Sequence, residues 1–148
     1  MEQNINRDLP VVQSVLQMNP VFFDKLSFER LGVSTGESKV RLKINQKIKK
    51  IDDGKYVVTI LAEATQENEF IATVQIRGYC TVDESDPAKE HLLKENAFAI
   101  LFPYIRSELT LLTAQPETDP IVWPVMNIQA MMEQAEKKKD VDYGQGIK

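Results

Sequence analysis

The side chains best suited to catalysis are few in this chain of 148 residues. It has one histidine, His91, and one cysteine, Cys80, which lie apart in sequence. A metal site or a nucleophile with its base needs several such groups close together. The sequence also has no glycine-rich phosphate loop and no H-E-x-x-H motif. We therefore predict that the protein is not an enzyme and holds no metal or cofactor.

Binding of apolar segments from another chain suits the aromatic and aliphatic residues better. Burial of one large side chain contributes about 1.5 to 3 kcal/mol, so a few adjacent contacts reach micromolar affinity. Trp123 stands out because it lies between Pro120 and Pro124 and not on a periodic face. We predict an apolar groove lined by Phe22, Phe23, Phe28, Ile121, Val122, Trp123 and Met126. The alternative for each residue is an ordinary place in the core.

Composition restricts the class of protein further. The chain carries a net charge of −4 and 43% hydrophobic residues. A net acidic chain does not favour nucleic acid as a partner, and no apolar run has the length of a membrane span. We expect a cytoplasmic protein with one domain over residues 1–138, within which residues 1–9 are flexible. Residues 139–148 form a charged tail that we expect to be disordered.

Four stretches have patterns typical of strands, namely residues 20–31, 40–49, 56–64 and 70–77. The second and the fourth alternate between two faces, the third is rich in β-branched residues and the first in aromatic residues. Asp53 and Gly54 supply the chemistry of a hairpin turn between the second and third strands. Helical patterns follow the strands, with Pro103 inside the first long helix and a second helix at residues 127–138. We predict an α+β fold: a four-stranded antiparallel sheet with a long proline-bent helix and a C-terminal helix on one face.

The first long helix has two apolar stripes, and one sheet cannot cover both. The first stripe contains Leu93, Ala97, Ile100, Tyr104 and Leu111. We assign the second stripe to an oligomer interface formed by Phe98, Leu101, Phe102, Ile105, Leu109 and Leu112. The strand at residues 21–29 has an unpaired edge that would contribute. A homo-oligomer, at least a dimer and by preference a dimer of dimers, is expected.

Several short motifs resemble one known family. Residues 25–29 read Lys-Leu-Ser-Phe-Glu, Phe102-Pro103-Tyr104 lies inside a helix, and Pro124-Val125-Met126-Asn127 precedes the last helix. Together with the strands between them, these motifs resemble the SecB family of export chaperones over most of the chain. The resemblance implies an ATP-independent holdase that binds unfolded polypeptides or preproteins and passes them to the SecA motor.

The chain departs from that family on the sheet face that the resemblance assigns to partner docking. Relatives carry an acidic residue where this chain has Lys25 and Thr73, while Glu29 is retained. We predict a docking face of Lys25, Glu29, Arg41, Lys43 and Thr73, and weak or absent binding of SecA. The alternative function is an interaction module dedicated to one partner, such as an antitoxin or an adaptor, without delivery to SecA.

Overall fold

The sheet predicted from the alternating residues is present in the computed structural model, which describes residues 16–33 and 38–123. Its strands are β1 Leu16–Arg30, β2 Val40–Asp52, β3 Lys55–Gln66 and β4 Phe70–Val82. They lie in the order β1-β4-β3-β2, and each neighbouring pair is antiparallel. The strands β1 and β2 therefore form the two edges of the sheet.

The two tight turns use residues that tolerate a left-handed backbone. Gly54, between β2 and β3, has a φ of 72°, and a Cβ atom there would lie 2.7 Å from the carbonyl oxygen of Val82. Asn68, between β3 and β4, has a φ of 62°. Glycine takes this conformation without steric cost and asparagine does so more readily than most residues. Both turns lie where the sequence predicted them.

The helical segment consists of α1 Lys89–His91, a π-helical turn at Leu92–Asn96 and α2 Ala97–Thr113. Asp86 stabilises its start, since its Oδ1 accepts a hydrogen bond of 2.8 Å from the Ala88 N–H. The helical pattern of the sequence does not predict the wider π-helical turn. Pro103 lies within α2, and the bend expected there stays a prediction.

Helix α2 packs on β4 and on parts of β1 and β3. The core between them includes Ile60, Val74, Ile76, Leu101 and Ile105, which are all fully buried. Gly78 allows this close approach, because a Cβ atom there would lie 2.4 Å from the Met18 sulfur and 3.3 Å from Leu101 Cδ2. The predicted α+β architecture, with helix on one face of the sheet, is confirmed for this part of the chain.

The assignment of the oligomer interface needs correction. Five of its six side chains, namely Phe98, Leu101, Phe102, Ile105 and Leu109, are at most 4% exposed in the single chain, and Leu112 is partly buried. These side chains face the sheet and form the core with it. In the other stripe Leu93 and Ala97 are also buried, whereas Ile100, Tyr104 and Leu111 are 39%, 48% and 64% exposed. A second subunit that packs on α2 would therefore contact exposed side chains such as Ile100 and Leu111.

Some predictions fall outside the described residues. They concern the flexible start at residues 1–9, the groove residue Met126, the helix at residues 127–138 and the tail at residues 139–148.

Glu84, which follows β4, joins the β2–β3 hairpin to the first helical residues. Its Oε1 accepts hydrogen bonds of 2.8 Å from the Gly54 N–H and from the Tyr56 hydroxyl. Lys89 Nζ donates to Oε2 over 2.9 Å, and Lys50 Nζ lies 3.1 Å from Oε1. These contacts, first of all the one from Gly54, hold the pKa of Glu84 far below its usual range.

We expect this contribution to stability to depend on pH. A depressed carboxyl pKa stabilises the fold above the unfolded pKa of about 4.3, and this stabilisation is lost as the pH falls toward the folded value. Glu84→Gln should therefore lower the melting temperature at pH 7, with a difference from wild type that shrinks below about pH 4. Thermal unfolding followed by circular dichroism measures this, with Glu90→Gln in α1 as the control. A difference that is constant from pH 7 to pH 3 would contradict the role of the charge.

Candidate functional site

The strand β1 presents different side chains to the two faces of the sheet. Its pairing with β4 places Phe23 opposite Ile76 and Phe28 opposite Ala72, on the side that α2 covers. Phe22 lies opposite Arg77 on the other side, which we call the open face. Phe22 and Phe23 therefore cannot line the same groove, and the prediction that placed Phe22 in it is wrong.

Apolar side chains are exposed along the helix side of β1. Phe23 is 37% exposed, and its ring meets that of Tyr104 from α2 edge-on, with centroids 6.2 Å apart. Leu26, opposite Val74 on the same side, is 44% exposed. Phe28 lies further along the strand and is partly buried, stacked on Phe70 with centroids 5.3 Å apart. These residues form an apolar surface between the edge strand and α2.

The connector at residues 114–123 lies beside the end of this surface. The Thr113 hydroxyl accepts a hydrogen bond of 2.8 Å from the Ile121 N–H, and the Thr110 hydroxyl donates one of 2.6 Å to the Ile121 carbonyl. Arg30, whose guanidinium stacks over Phe28 at 5.3 Å, donates hydrogen bonds to Thr118 and to the Pro116 carbonyl. The end of β1 is thus tied to the connector.

The connector residues predicted to line the groove differ in exposure. Val122 is 76% exposed, whereas Ile121 and Trp123 are partly buried against the core. We define the groove as the apolar surface formed by Phe23, Leu26, Phe28 and Tyr104. Of the predicted groove residues, Phe23 and Phe28 lie on this surface, and Ile121, Val122 and Trp123 lie on the connector that Arg30 ties to its end.

Sequence reasoning missed Leu26 and Tyr104 as groove residues. Tyr104 belongs to the apolar stripe that was expected to face the sheet. Leu26 was hidden by irregular pairing, because the register of β1 shifts between Met18 and Val21 and again between Phe23 and Lys25. Each shift breaks the alternation of faces on which the prediction depended.

The residues predicted for partner docking share the open face. Lys25 lies opposite Gln75, Glu29 opposite Ile71, and the row from β4 to β2 places Thr73, Glu63 and Lys43 side by side. Arg41 lies on the same side, opposite Thr65. In the described residues the helices lie on the other side of the sheet, so this face carries exposed Lys25, Arg41 and Lys43 toward solvent. Thr73, at its centre, is only 7% exposed.

Phe22 belongs to a cluster on the open face. The Arg77 guanidinium lies 5.5 Å from the Phe22 ring centre and 5.7 Å from that of Tyr79, whose hydroxyl it contacts at 3.1 Å. Arg77 Nε is 3.1 Å from Asp24 Oδ1, in an ion pair whose N–H does not point at the carboxylate. Arg77 thus contacts the two aromatic rings and the carboxylate of Asp24. Phe22 stays 47% exposed beside it.

Comparison of the sequence with known proteins identifies its family. A family model described as preprotein translocase subunit SecB matches residues 11–139. The chain belongs to the SecB family. The protein-export protein SecB of Saccharophagus degradans is 29% identical over 126 residues, which cover 78% of this chain and 75% of that protein. A protein of Methanocaldococcus jannaschii described as uncharacterized is 28% identical over 114 residues, 70% of this chain and 74% of its own.

A solved structure has the same fold. It is the SecB-like chaperone Rv1957 of Mycobacterium tuberculosis in complex with a peptide from the HigA1 antitoxin, with a TM-score of 0.62 and 11% identity. The superposition covers 76% of this chain and 88% of that one. The family and the fold predicted from the sequence are therefore confirmed.

The described part of this SecB-family chain holds little reactive chemistry. Residues 16–33 and 38–123 contain no group of three His, Cys, Asp or Glu side chains that could hold a metal ion. Burial raises the pKa of the Cys80 thiol to about 11, so it stays protonated at neutral pH. The His91 side chain is 58% exposed and contacts Glu95 at 2.9 Å. None of the described helices is long and apolar enough to cross a bilayer.

Proposed function

We propose that this SecB-family protein is an ATP-independent holdase chaperone that binds unfolded polypeptides through the groove between β1 and α2. The observation that carries the proposal is the exposure of Phe23, Leu26 and Tyr104 on one surface, at 37%, 44% and 48%. Such large apolar side chains are normally covered when they lie together. Their exposure here fits a site that a client fills.

The chemistry of the groove suits clients of varied sequence. Aromatic and leucine side chains bind apolar segments by burial, which depends on area and not on one hydrogen-bonding pattern. The charged group of Arg30, at the end of the groove, is engaged by Phe28 and the connector. A client would therefore gain affinity from apolar residues at suitable spacing. The sequence offers no glycine-rich phosphate loop, which supports binding without ATP.

Two relatives support a chaperone of this kind. One is named a protein-export protein, and the fold neighbour is a SecB-like chaperone that holds a peptide from an antitoxin. The second observation favours our alternative, a module dedicated to one partner such as an antitoxin. Delivery to SecA is not part of the proposal, because Lys25, Arg41 and Lys43 make the open face basic where the family resemblance implies an acidic one.

Suppression of aggregation distinguishes the two functions. A thermally unfolded enzyme unrelated to this protein is followed by light scattering, without nucleotide, at increasing ratios of the SecB-family protein. The holdase proposal expects aggregation to stop near a stoichiometric ratio. An unaffected unrelated client, together with tight binding of one cognate protein from the same genome, would favour the dedicated module.

Trp123 offers a direct signal of client binding, because it is the only tryptophan in the chain. It is partly buried in the free protein and lies beside the groove. We expect its emission to shift to shorter wavelength when an unfolded client without tryptophan is added, since the indole loses contact with water. Trp123→Ala should weaken client affinity by roughly 1 to 3 kcal/mol while the oligomer remains intact. If Trp123→Ala unfolds the protein and client affinity falls only for that reason, Trp123 is a core residue and not part of the client site.

A further inference from the structure

In residues 16–33 and 38–123 no strand pairs with the outer edge of β2, and this edge is unusually regular. Residues 40–50 pair with β3 in one continuous register, and the only shift comes between Lys50 and Asp52. The other edge strand, β1, has two register shifts and contains Pro20, which has no N–H to donate. Bulges and prolines discourage the pairing of an edge with a further strand. Residues 40–50 of β2 contain neither a bulge nor a proline, so their outer edge presents a regular row of backbone donors and acceptors.

The two faces of β2 have opposite character. On the open face it carries Arg41, Lys43, Lys47 and Lys49, all exposed, and none of the ion pairs in the described residues involves them. Residues two apart on a strand lie about 7 Å from each other, so Arg41 and Lys43 form one pair of cations along the edge and Lys47 and Lys49 a second, with Asn45 between the pairs.

On the helix side, β2 presents apolar residues that the protein covers only in part. Val40 is 40% and Ile48 37% exposed, while Leu42 and Ile44 are partly buried against the core. Helix α2 packs mainly over the other three strands. The apolar row of β2 therefore extends beyond the cover that α2 provides.

We propose that the β2 edge binds an extended segment of a partner protein in which acidic and apolar residues alternate, as a fifth strand of the sheet. The side chains of an added strand alternate between the same two faces as those of β2. Its acidic residues would meet Arg41, Lys43, Lys47 and Lys49, and its apolar residues would extend the row of Val40, Leu42, Ile44 and Ile48. Both rows are satisfied at once by this one pattern.

A polypeptide fits this edge better than a nucleic acid. The apolar row on the helix side offers nothing to phosphate groups, and Glu63 lies next to Lys43 on the open face. A nucleic acid would also leave the backbone groups of the edge unpaired. The site lies three strands away from the groove beside β1, about 14 Å across the sheet, so it does not depend on the proposed chaperone function.

The simpler explanation is that the cations only keep β2 edges of different molecules apart. A peptide distinguishes the two explanations. The probe has about ten residues, the length of a long strand, with glutamate and valine in alternation. One control has the same composition with its glutamates grouped together, and a second carries N-methyl groups at alternate backbone nitrogens. A third arm uses a single-stranded oligonucleotide of equal net charge.

We expect the alternating peptide to bind, to bind less at high salt, and to slow hydrogen exchange of the β2 amides. Lys43→Glu combined with Lys47→Glu should weaken it about tenfold, because attractive cross-strand pairs become repulsive. The control Gln17→Glu adds a negative charge to the same open face at the opposite edge and should leave affinity unchanged within about twofold.

Several results would overturn the proposal. They are absence of binding, equal binding of the grouped or the N-methylated peptide, or an equal loss in the Gln17→Glu variant. Tighter binding of the oligonucleotide in competition with the peptide would assign the cations to a nucleic acid. Slow exchange of all β2 amides in the free protein would mean that the edge is already paired.

Discussion

Replacing Leu101 with alanine will lower the free energy of unfolding by about 2 to 5 kcal/mol, the range for removing a fully buried leucine. Leu101 is 0% exposed and lies against the backbone at Gly78. The cavity left there cannot close easily, because the sheet and α2 are both regular elements. Urea unfolding monitored by circular dichroism measures the change.

The same substitution at Leu31 is the matched control. Leu31 is 48% exposed and lies just after β1, outside the groove and outside the exposed stripe of α2. We expect Leu31→Ala to change stability by no more than about 0.5 kcal/mol. Equal losses of unfolding free energy in Leu101→Ala and Leu31→Ala would contradict the burial of Leu101 in the core. A loss for Leu101→Ala that appears only as dissociation of an oligomer would restore the interface assignment made from the sequence.

The exposed stripe of α2 should carry the oligomer. We propose that Ile100 and Leu111 contact a second copy, in at least a dimer and by expectation a tetramer. Ile100→Glu combined with Leu111→Glu would then place charges in an apolar interface, where each unpaired charge costs several kcal/mol. We expect the dissociation constant to rise at least about 100-fold, as measured by sedimentation velocity. Tyr104 is left unchanged because its ring also contacts Phe23 in the groove.

If the double variant keeps its secondary structure, the rise in the dissociation constant comes from lost association and not from unfolding. Ile100 and Leu111 are 39% and 64% exposed, so their substitution leaves the core of the single chain in place. Glu108→Gln on the same helix serves as a control for a change of charge. A wild-type protein that is monomeric at micromolar concentration, or a double variant that stays oligomeric, would reject this interface.

The strands were predictable because their periodicity records which face is buried. In β2 the predicted alternation agrees with the observed burial, since Leu42 and Ile44 are partly buried while Arg41 and Lys43 are exposed. A strand with one buried face has little freedom of register, since a slip by one residue would expose the whole apolar row. The open face was predictable for the same reason, and Arg41 and Lys43 lie where the alternation of β2 placed them.

The helix and the groove were harder, because periodicity does not identify what covers an apolar face. Two stripes on α2 were evident, but only the packing shows that Leu101 and Ile105 face the sheet and Ile100 does not. In β1 the register shifts on both sides of Phe22 and Phe23. Counting alternate residues along the strand therefore does not show which of the two faces the helix. The π-helical turn at Leu92–Asn96 has no comparable sequence pattern.

The affinity for an unfolded polypeptide tests the chaperone account most directly. A labelled, permanently unfolded protein is titrated with wild type, with Leu26→Ser in the groove and with Ile51→Ser at the far edge of the sheet. Both residues are exposed, at 44% and 54%, so neither change disturbs the core. We predict micromolar or tighter binding by wild type, a loss of about tenfold in Leu26→Ser from the removed apolar contact, and no loss in Ile51→Ser. Equal affinities of all three proteins, or no binding by wild type, would contradict a chaperone that holds its clients in the groove between β1 and α2.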